Sequence, residues 1–561
     1  MLTTKKRNLK QQANNKTKIF IVSKEDYVCE DKEDEDIFAK AGLTGPKWYE
    51  CARFRPSDEA SQSMLFDEAL MWKMINSGHN VLVSGKAGAG KSHLLQRFVN
   101  HAKTANFKYR ICAPTGVAAF TIGGETIHKC LSMGLAEDPP MDLWNRIKTP
   151  SGKSKYYKTW DFLTCDLWYL DEISMVHPDF FLKLDFLAQK ANNNSKPFGG
   201  IRLIMSGDFT QIGPIFKKKN TDPLGLYMQE QGIDISENKE ELLVFETESW
   251  KRMPLCRMIL NRSYRQKTGE FLTLLDHVRR GYMSPEDNML IMSRIDAPMD
   301  IASKSIKSAE QKYSFETPKN VTLSPSIDPI WVFSKNVKVD NCNVQHLEQL
   351  RKAGCEMVYE RPVLYVDKRE HVEYMDPREQ KASQTLIAKG KPYWSKQFPI
   401  YDLQLCAGCQ VMMRKNTFIA DGVYNGSLGW VVSMDNDSVS VLFLKNGEFM
   451  ENPICVKREE FGMVTGKTTC VKMKQFPLSV AYAFTIHRTQ GLTLDAMHLD
   501  ASDCFNGGML YVALSRVRKI EDLVISDFDR SSLIVNEKAV RYETYEGTKA
   551  VVLKKRKNME C

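Results

Sequence analysis

The chain has 561 residues, and this length allows about three or four domains. Of these residues 43% are hydrophobic and 26% are charged, which is an ordinary globular composition, so each domain can bury a core. The 78 Lys and Arg residues outnumber the 69 Asp and Glu residues, and the net charge of +9 suits either a nucleic-acid partner or a plain solvated basic surface. Neither a bilayer-spanning apolar run nor the apolar core of a signal peptide is found, which argues against membrane-bound and secreted proteins and predicts a soluble, intracellular one with reduced thiols.

Charged tails are predicted at both ends of the chain. Residues 1–58 contain a basic run at Lys5, Lys6 and Arg7 and then an acidic run. Because blocks of like charge usually stay solvated, this N-terminal extension is predicted to be partly disordered. Residues 536–561 are predicted to form a basic tail, which is either a nuclear import or phosphate-binding segment or an inert solvated end.

Short apolar runs alternate with helical stretches after the N-terminal extension. The runs at residues 81–83, 167–170 and 203–205 are each followed by a turn that contains Gly or Asp. Such runs are typical of parallel strands that helices cover on both faces. They predict a first α/β domain over residues 59–255.

A second parallel-sheet domain is predicted over residues 256–400 and 476–535, where apolar runs of the same kind recur. The intervening segment, residues 401–475, has a different pattern. It contains short strands separated by Asn-Gly turns, and this pattern is typical of antiparallel pairing. The segment is therefore predicted to form a small β-barrel inserted into the second domain.

The strongest local signal is a P-loop between a predicted strand and a predicted helix. Its eight positions are occupied by Gly85, Lys86, Ala87, Gly88, Ala89, Gly90, Lys91 and Ser92. Glycines allow consecutive backbone N–H groups to turn towards phosphate oxygens at the start of a helix. Lys91 is predicted to reach the β- and γ-phosphates, and the Ser92 hydroxyl is predicted to ligate Mg²⁺.

A pair of carboxylates follows the apolar run at residues 167–170. Asp171 is predicted to hold the Mg²⁺ shell together with Ser92, and Glu172 is placed to polarise the attacking water. An apolar run that ends in Asp-Glu is common by itself and usually only marks a strand leaving the core. In combination with the P-loop, it predicts hydrolysis of the nucleotide and not binding alone.

Further motifs follow in an order that resembles the superfamily-one helicases of the Pif (petite integration frequency) branch, which is related to RecD. The matching segments are residues 113–119, 123–128, 171–175, 207–211, 264–266, 484–493 and 511–517. The ordered series is far more specific than any single motif. The resemblance implies two RecA-like lobes, each a parallel sheet flanked by helices, with ATP between them and the small β-barrel inserted in the second lobe.

The resemblance also assigns roles at the nucleotide. Gln211 would report the nucleotide state, Gln490 would contact the nucleotide, and Arg265 and Arg516 would be arginine fingers of the second lobe. A guanidinium offers a planar fork of donors that neutralises charge on the transferring phosphoryl group. From a second lobe the fingers would reach ATP only when the lobes close, which would tie hydrolysis to motion.

The same resemblance implies contacts to single-stranded DNA at Thr115, Thr126 and His128 in the first lobe and at His487 and Thr489 in the second. Hydroxyl and imidazole groups can bind phosphates without reading bases, which suits a motor that is indifferent to sequence. Each of these residues could instead be an ordinary capping or loop residue.

An insert before Asp171 contains Trp160 and the lysines 153, 155 and 158. In the family this region can act as a wedge at the strand junction, and the alternative is a core Trp flanked by solvated lysines. Four cysteines could in principle hold Zn²⁺. Cys406 and Cys409 form a CxxC pair, but Cys455 and Cys470 lack the paired spacing of zinc ligands, which argues against a zinc site.

Two departures from the family pattern limit the transfer of roles. The stretch at residues 66–70 contains the acidic residues Asp67 and Glu68, where the family usually has a Gln that recognises adenine. After Gln211 the chain continues with Ile212, Gly213 and Pro214 and lacks the usual Pro-Pro. Base specificity and the geometry of the sensor loop are therefore open.

These observations predict an ATP-dependent DNA helicase that uses ATP and Mg²⁺ and moves 5′ to 3′ on single-stranded DNA. Its predicted substrates are single strands and tailed or forked duplexes, and we expect a monomeric motor, possible replication-protein partners and no membrane partner. A nuclear or viral replication site is favoured over the mitochondrion. The alternatives are an RNA helicase of the same superfamily and an ATPase that binds nucleic acid without unwinding it.

Overall fold

The computed structural model describes most of the chain. The described residues are 18–22, 71, 74–75, 78–95, 99, 107–115, 118–119, 122–131, 138–149, 156–214, 242–260, 263–266, 269–297, 312–368, 373–389, 402–415, 417–423, 426–445, 448–464, 468–494, 496–544 and 550–553, with the backbone alone at 18–22, 419, 462–464 and 550–553. The chain divides into two compact units. The first comprises Met1–Leu290, Cys504–Lys519 and Asp529–Cys561, and the second comprises Ile291–Asp503 and Ile520–Phe528.

The first unit contains an eight-stranded sheet in which every neighbouring pair is parallel. Numbered along the chain, its strands are β1 (Lys18–Val22), β2 (Asn80–Gly85), β3 (Tyr109–Ala113), β4 (Glu125–Thr126), β5 (Leu167–Leu170), β6 (Arg202–Gly207), β7 (Leu255–Leu260) and β25 (Ala550–Leu553). Their order in the sheet is β25-β1-β7-β2-β6-β5-β3-β4. The carboxyl ends of all these strands therefore lie at one edge, where the P-loop follows β2.

Helices cover both faces of this sheet. They are α1 (Ile127–Leu131), α2 (Pro140–Ile147), α3 (Tyr157–Leu163), α4 (Pro178–Asn192), α5 (Glu248–Arg252), α6 (Glu270–Arg279), α11 (Met509–Leu514) and α12 (Glu537–Thr544), and α7 (Pro285–Met292) lies where the first unit ends. Alternate residues of one strand enter different hydrophobic clusters: Trp168 of β5 packs in one cluster and Tyr169 in the other. This burial on both faces confirms what the apolar runs predicted.

The second unit contains a four-stranded parallel sheet of order β22-β10-β23-β24 and several antiparallel sheets. Its strands are β8 (Phe315–Glu316), β9 (Thr322–Leu323), β10 (Ile330–Phe333), β11 (Val358–Glu360), β12 (Val363–Lys368), β13 (Leu403–Leu405), β14 (Gln410–Met413), β15 (Leu428–Met434), β16 (Ser438–Lys445), β17 (Glu448–Phe449), β18 (Ile454–Lys457), β19 (Glu459–Val464), β20 (Thr469–Gln475), β21 (Leu478–Val480), β22 (Ala483–Thr485), β23 (Met497–Ala501) and β24 (Leu523–Phe528). Its helices are α8 (Asn336–Lys352), α9 (Pro377–Ala388) and α10 (Ile486–Thr489).

The antiparallel strands predicted between residues 401 and 475 are present, but their pairing differs from one barrel with those limits. A six-stranded sheet has the order β17-β16-β15-β14-β21 with β18 on β16, and a separate sheet has the order β12-β20-β19. Strand β21 follows residue 475, and β12 precedes residue 401. The register of β12 on β20, from Val363 opposite Lys474 to Lys368 opposite Thr469, extends this part of the fold beyond the predicted limits.

The α/β class with two parallel sheets is as predicted, whereas the predicted domain boundary at residues 255 and 256 is wrong. It falls inside β7, which pairs along its whole length with β2 from Asn80 opposite Leu255 to Gly85 opposite Leu260. A cut there would remove a central strand from the first sheet. Cys504–Lys519 also joins the first unit, although the sequence placed it in the second domain.

The predicted basic tail, residues 536–561, begins with the ordered helix α12, in which Ala539 and Glu543 are buried. The basic residues 554–557 and the disorder predicted for most of residues 1–58 lie outside the described residues. No helix in the described part of the chain combines the length and the apolar character needed to cross a bilayer.

Candidate nucleotide and nucleic-acid sites

The P-loop of the first unit has the predicted strand before it and helical residues 91–95 after it. Lys91 is almost fully buried, and its Nζ donates hydrogen bonds to the carbonyl oxygens of Gly85 at 2.7 Å and Lys86 at 3.0 Å. Gly88 has φ +76°, and a Cβ atom there would lie 2.6 Å from the Cβ of Arg265. Only glycine fits this position, because both the backbone conformation and the close neighbour exclude a side chain.

Ser92 and Asp171 meet at the carboxyl end of the sheet. The Ser92 hydroxyl donates to Asp171 Oδ2 at 2.8 Å, and the Ser206 hydroxyl at the end of β6 donates to Asp171 Oδ1. Asp171 is buried directly after β5. A hydroxyl and a carboxylate are hard oxygen ligands of the kind that Mg²⁺ prefers, so the pair fits the predicted metal position.

Glu172 has the properties of a general base. Burial and the neighbouring Asp171 carboxylate raise the pKa of Glu172 to about 7, although Lys91 and Arg516 act in the opposite direction. Its Oε2 atom has no hydrogen-bond partner among the described residues, and its backbone is left-handed with φ 49°. A carboxylate whose pKa lies near neutrality can both take and release a proton at physiological pH.

Gln211 is buried in the loop that follows β6. Its Nε2 lies 3.4 Å from Asp208 Oδ2, and its Oε1 has no hydrogen-bond partner within the described part of the chain. Asp208 is fully buried and accepts from both the backbone N–H and the hydroxyl of Thr210. The contacts of Asp208 therefore fix the backbone of this loop, which carries the side-chain oxygen of Gln211.

Arg265 lies beside the P-loop in the first unit. The backbone N–H of Tyr264 donates to the Gly88 carbonyl at 2.8 Å, and Arg265 Nη1 donates to the Ser515 carbonyl at 2.8 Å. Burial lowers the pKa of Arg265 from its ordinary value. The segment that carries Arg265 follows directly after β7, which explains why it stays with the first sheet.

Arg516 is also part of the first unit and is almost fully buried. Its Nε donates to the Val512 carbonyl at 2.7 Å, and burial together with the nearby Arg265 lowers its pKa to about 9, while Glu172 raises it. Both arginines therefore belong to the unit that contains the P-loop. This corrects the prediction that they reach the nucleotide from a second lobe.

Tyr511 is a site residue that the sequence analysis did not identify. Its hydroxyl accepts from the Ala87 backbone N–H at 2.8 Å and donates to Asp208 Oδ2 at 3.3 Å. It thus connects the P-loop to the loop that carries Gln211. The residue belongs to the motif at 511–517, but that motif was interpreted only through Arg516.

The predicted DNA contacts of the first unit lie near one edge of the sheet. Thr126 is the last residue of β4 and lies opposite Ala113 of β3, and Thr115 follows Ala113 by two residues. The Thr126 hydroxyl accepts from Lys129 N at 3.3 Å and the Thr115 hydroxyl accepts from Ala118 N at 3.2 Å, so both act as local caps. His128 stacks on Phe180 with 4.4 Å between ring centroids, and burial lowers its pKa.

The predicted contacts of the second unit are less uniform. His487 is half-buried on α10, and burial lowers its pKa. Thr489 is fully buried and its hydroxyl donates to the Ile486 carbonyl at 2.8 Å, so its side chain is not available at the surface for a DNA contact. Gln490 is buried, and both polar atoms of its side chain lack hydrogen-bond partners among the described residues.

Two arginines of the second unit form a cationic pair that the sequence analysis missed. Arg414 follows β14, and its backbone N–H donates to the Pro477 carbonyl at 2.7 Å. Burial and the neighbouring Arg488 lower the pKa of Arg414 to about 10. Neither guanidinium has a hydrogen bond or ion pair with another described residue. In the sequence, Arg488 lies between the predicted DNA contacts His487 and Thr489. This position was the one feature of the sequence that pointed to a role of Arg488 in DNA binding.

The remaining candidates have structural explanations. Trp160 donates its Nε1–H to the Ile147 carbonyl at 2.9 Å and packs against Trp144, so its indole belongs to the contact between α2 and α3. Lys158 is exposed, and lysines 153 and 155 lie outside the described residues. Cys406 and Cys409 are buried in the core of the antiparallel sheets. No group of three or more His, Cys, Asp or Glu side chains that could hold a metal ion occurs among the residues that the structure describes.

The fold and the site together define a P-loop nucleotide-binding protein with two parallel sheets. Residues 59–289 match the family model described as PIF1-like helicase. The chain is 29% identical over 479 residues to the ATP-dependent DNA helicase PIF1 of Danio rerio, which covers 85% of this chain and 63% of the relative. These findings show that the chain is similar to Pif1-like helicases, with the family match in residues 59–289.

Solved structures have a similar fold. The Pif1 helicase of Candida albicans has a TM-score of 0.65 at 24% identity and covers 85% of this chain and 98% of that one, which shows the fold. A Bacteroides Pif1 in complex with ADP-AlF3 and single-stranded DNA has a TM-score of 0.61 at 25% identity and covers 86% and 97%. The chain spans 46–66% of the length of the first curated relatives that it matches.

Proposed function

We propose that the protein is an ATP-dependent DNA helicase that translocates 5′ to 3′ on single-stranded DNA and unwinds tailed or forked duplexes. The observation that supports this proposal is that one unit holds both the phosphate-binding residues and the residues suited to hydrolysis. They are Lys91, Asp171, Glu172, Arg265 and Arg516. A P-loop made only for binding has no need of a general base beside two guanidiniums.

In the proposed reaction, the γ-phosphoryl group of ATP is transferred to water. Lys91 binds the β- and γ-phosphates, and Glu172 accepts the proton of the attacking water as the bond to the β-phosphate oxygen breaks. Arg265 and Arg516 neutralise the charge that the transferring group spreads over its oxygens. The products are ADP and inorganic phosphate. When bound, Mg²⁺ would neutralise phosphate charge, and Ser92 and Asp171 are the residues that would hold it.

The proposed DNA ligands bind the sugar–phosphate backbone and not the bases. The first unit offers Thr115, Thr126 and His128, and the second unit offers His487 and the pair of Arg414 with Arg488. Cations and small polar groups of this kind contact phosphates independently of sequence. The Bacteroides Pif1 complex contains single-stranded DNA, which supports single-stranded DNA as the ligand proposed here.

The DNA preference is tested by ATP hydrolysis in the presence of matched DNA and RNA oligomers, with Lys91→Ala as the inactive control. The proposal predicts strong stimulation by single-stranded DNA, weak stimulation by RNA and no hydrolysis by the variant. Stronger stimulation by RNA would assign the protein to RNA instead. Hydrolysis that no nucleic acid stimulates would contradict a helicase altogether.

The cellular setting of this activity stays a prediction from the sequence. We propose a monomeric motor that acts in the nucleus or at a viral replication site and that meets replication proteins at the fork. Size-exclusion chromatography with light scattering, without and with forked DNA, tests the monomeric state. A dimer that persists without DNA would contradict it.

A further inference from the structure

Helix α12 packs its carboxyl-terminal half into the hydrophobic core of the first unit. The ring of Tyr542 stacks on Phe245 with 4.1 Å between centroids, and the guanidinium of Arg257 lies 4.5 Å from the Tyr542 ring centroid. Phe209, in the loop after β6, meets the same ring edge to face. The helix is thus part of the first unit and contacts the loop that carries Gln211.

Glu543 is a buried carboxylate at the end of this helix. Its Oε1 accepts from the Phe209 backbone N–H at 3.1 Å, its Oε2 accepts from Arg257 Nη2, and the Nη2 of Arg279 lies 3.5 Å from the same oxygen. Both arginines are buried as well. A buried carboxylate is tolerated only with such partners, because an isolated charge in the core costs several kcal/mol.

The two arginines extend from Glu543 to the nucleotide site by separate routes. Arg257 Nε donates to the hydroxyl of Ser84, the residue directly before the P-loop, at 3.0 Å. Arg279 Nε donates to the Thr210 hydroxyl at 2.9 Å, and its Nη2 donates to Asp208 Oδ1 at 3.2 Å. Asp208 in turn holds Tyr511, whose hydroxyl binds the Ala87 backbone of the P-loop.

The charges of this network balance. Asp208 and Glu543 supply two carboxylates, and Arg257 and Arg279 supply two guanidiniums. Burial acts to lower the pKa of Arg279, but Asp208, Tyr511 and Glu543 raise it above its ordinary value. Neutralising Glu543 would therefore leave the buried guanidinium of Arg257 without its carboxylate partner and would remove the second carboxylate beside Arg279, so both guanidiniums would be expected to change their contacts.

We propose that Glu543 is a positioning residue for ATP hydrolysis, which holds the loop of Asp208 and Gln211 and the start of the P-loop through Arg279 and Arg257. This inference rests on the proposed ATP hydrolysis. Glu543 does not touch the nucleotide, and its effect passes through groups that act on the transferring phosphoryl group. Its loss is therefore expected mainly in kcat, because Lys91 and the P-loop amides still bind the ground state.

The test is Glu543→Gln in the full chain, with Glu537→Gln as the matched control. Glu537 lies on the same helix and is exposed, so its variant removes the same charge without touching the network. The inference predicts that E543Q lowers the kcat of DNA-stimulated hydrolysis by about tenfold or more while the KM for ATP changes by less than about threefold. Single-stranded DNA binding and the circular dichroism spectrum stay like those of the wild type, and E537Q is unchanged in all readouts.

A folded E543Q variant with the kcat of the wild type, or with a raised KM alone, would overturn the inference. If E543Q does not fold, Arg279→Lys decides, because an ammonium keeps the charge but cannot donate to Thr210 and Asp208 as a guanidinium fork. The same loss of kcat is expected, and full activity of R279K would overturn the inference. Wild-type activity in the same assay separates the two claims, since a wild-type chain without hydrolysis overturns the proposed function and this inference with it.

Discussion

Glu172 shows how the position of one side chain sets its chemistry. It follows β5 in a left-handed conformation, next to a second carboxylate and with a buried oxygen that has no partner among the described residues. Both burial and Asp171 oppose its negative charge, which raises its pKa to about 7. A sequence identifies such a residue by its neighbours, but its pKa depends on how deeply the strand end is covered.

The pH dependence of hydrolysis follows from this pKa. Glu172 accepts a proton only when it is ionised, so kcat should fall as the pH decreases through about 7 and level off above it. Glu172→Gln should lower kcat on the order of a hundredfold and remove this dependence while nucleotide binding persists. Steady-state kinetics between pH 5.5 and about 9 measure both effects, since that range brackets the expected pKa. An unchanged acid limb in E172Q would assign the titration to another group.

Arg414 and Arg488 allow a test of phosphate binding in the second unit. Each Arg→Gln variant should weaken single-stranded DNA binding and reduce the slope of log affinity against log salt concentration by about one, because one phosphate contact is lost. Thermal stability of the Arg414 variant should stay level or rise, because burial and then repulsion by Arg488 disfavour the charge of Arg414 and lower its pKa. Fluorescence anisotropy at several salt concentrations measures the slope.

Lys457→Gln is the matched control for this experiment. Lys457 ends β18 in the same unit and is exposed, so its loss removes one positive charge without a proposed contact. Equal slopes for the control and for both arginine variants would contradict a specific role of the pair and would indicate only the general basic charge.

At the scale of elements, the P-loop depends on a close approach of two chain segments. Gly88→Ala places a Cβ atom 2.6 Å from that of Arg265 and in a left-handed conformation, so it should displace the segment 263–266 and abolish most hydrolysis. Gly78→Ala is the control, because Gly78 has a similar φ of +83° with open space around it. It should cost about 1 kcal/mol of stability and leave kcat intact. Equal loss of kcat in both would show that the close approach is unimportant.

The elements that the sequence predicted well are those with a local signal. Strands β2, β5 and β6 are buried on both faces, so each contains an apolar run of three or four residues, and the P-loop needs its glycines at fixed positions. The role of β7 in the first sheet and the return of Cys504–Lys519 depend on pairings across hundreds of residues. No local pattern encodes them, and this is why the domain boundary and the location of the arginines were predicted incorrectly.

The same long separation along the chain explains why Glu543 and Tyr511 were not predicted as site residues. Glu543 contacts Arg257 across 286 positions and Tyr511 contacts Ala87 across 424 positions. In the sequence, Glu543 lies inside the predicted basic tail, among residues of mixed charge, and resembles a solvated residue. Its burial follows from the apolar face of α12, where Ala539 and Tyr542 enter the core cluster of the first unit.

At the scale of the whole molecule, the proposed function combines hydrolysis in the first unit with proposed nucleic-acid ligands in both units. The central claim is that this chemistry drives unwinding with a defined direction. The most direct measurement is the ATP-dependent unwinding of a DNA duplex that has either a 5′ or a 3′ single-stranded tail, with Lys91→Ala as the control. The account predicts unwinding from the 5′ tail alone and none by the variant. Unwinding from the 3′ tail, or none from either tail while DNA still stimulates hydrolysis, would contradict it.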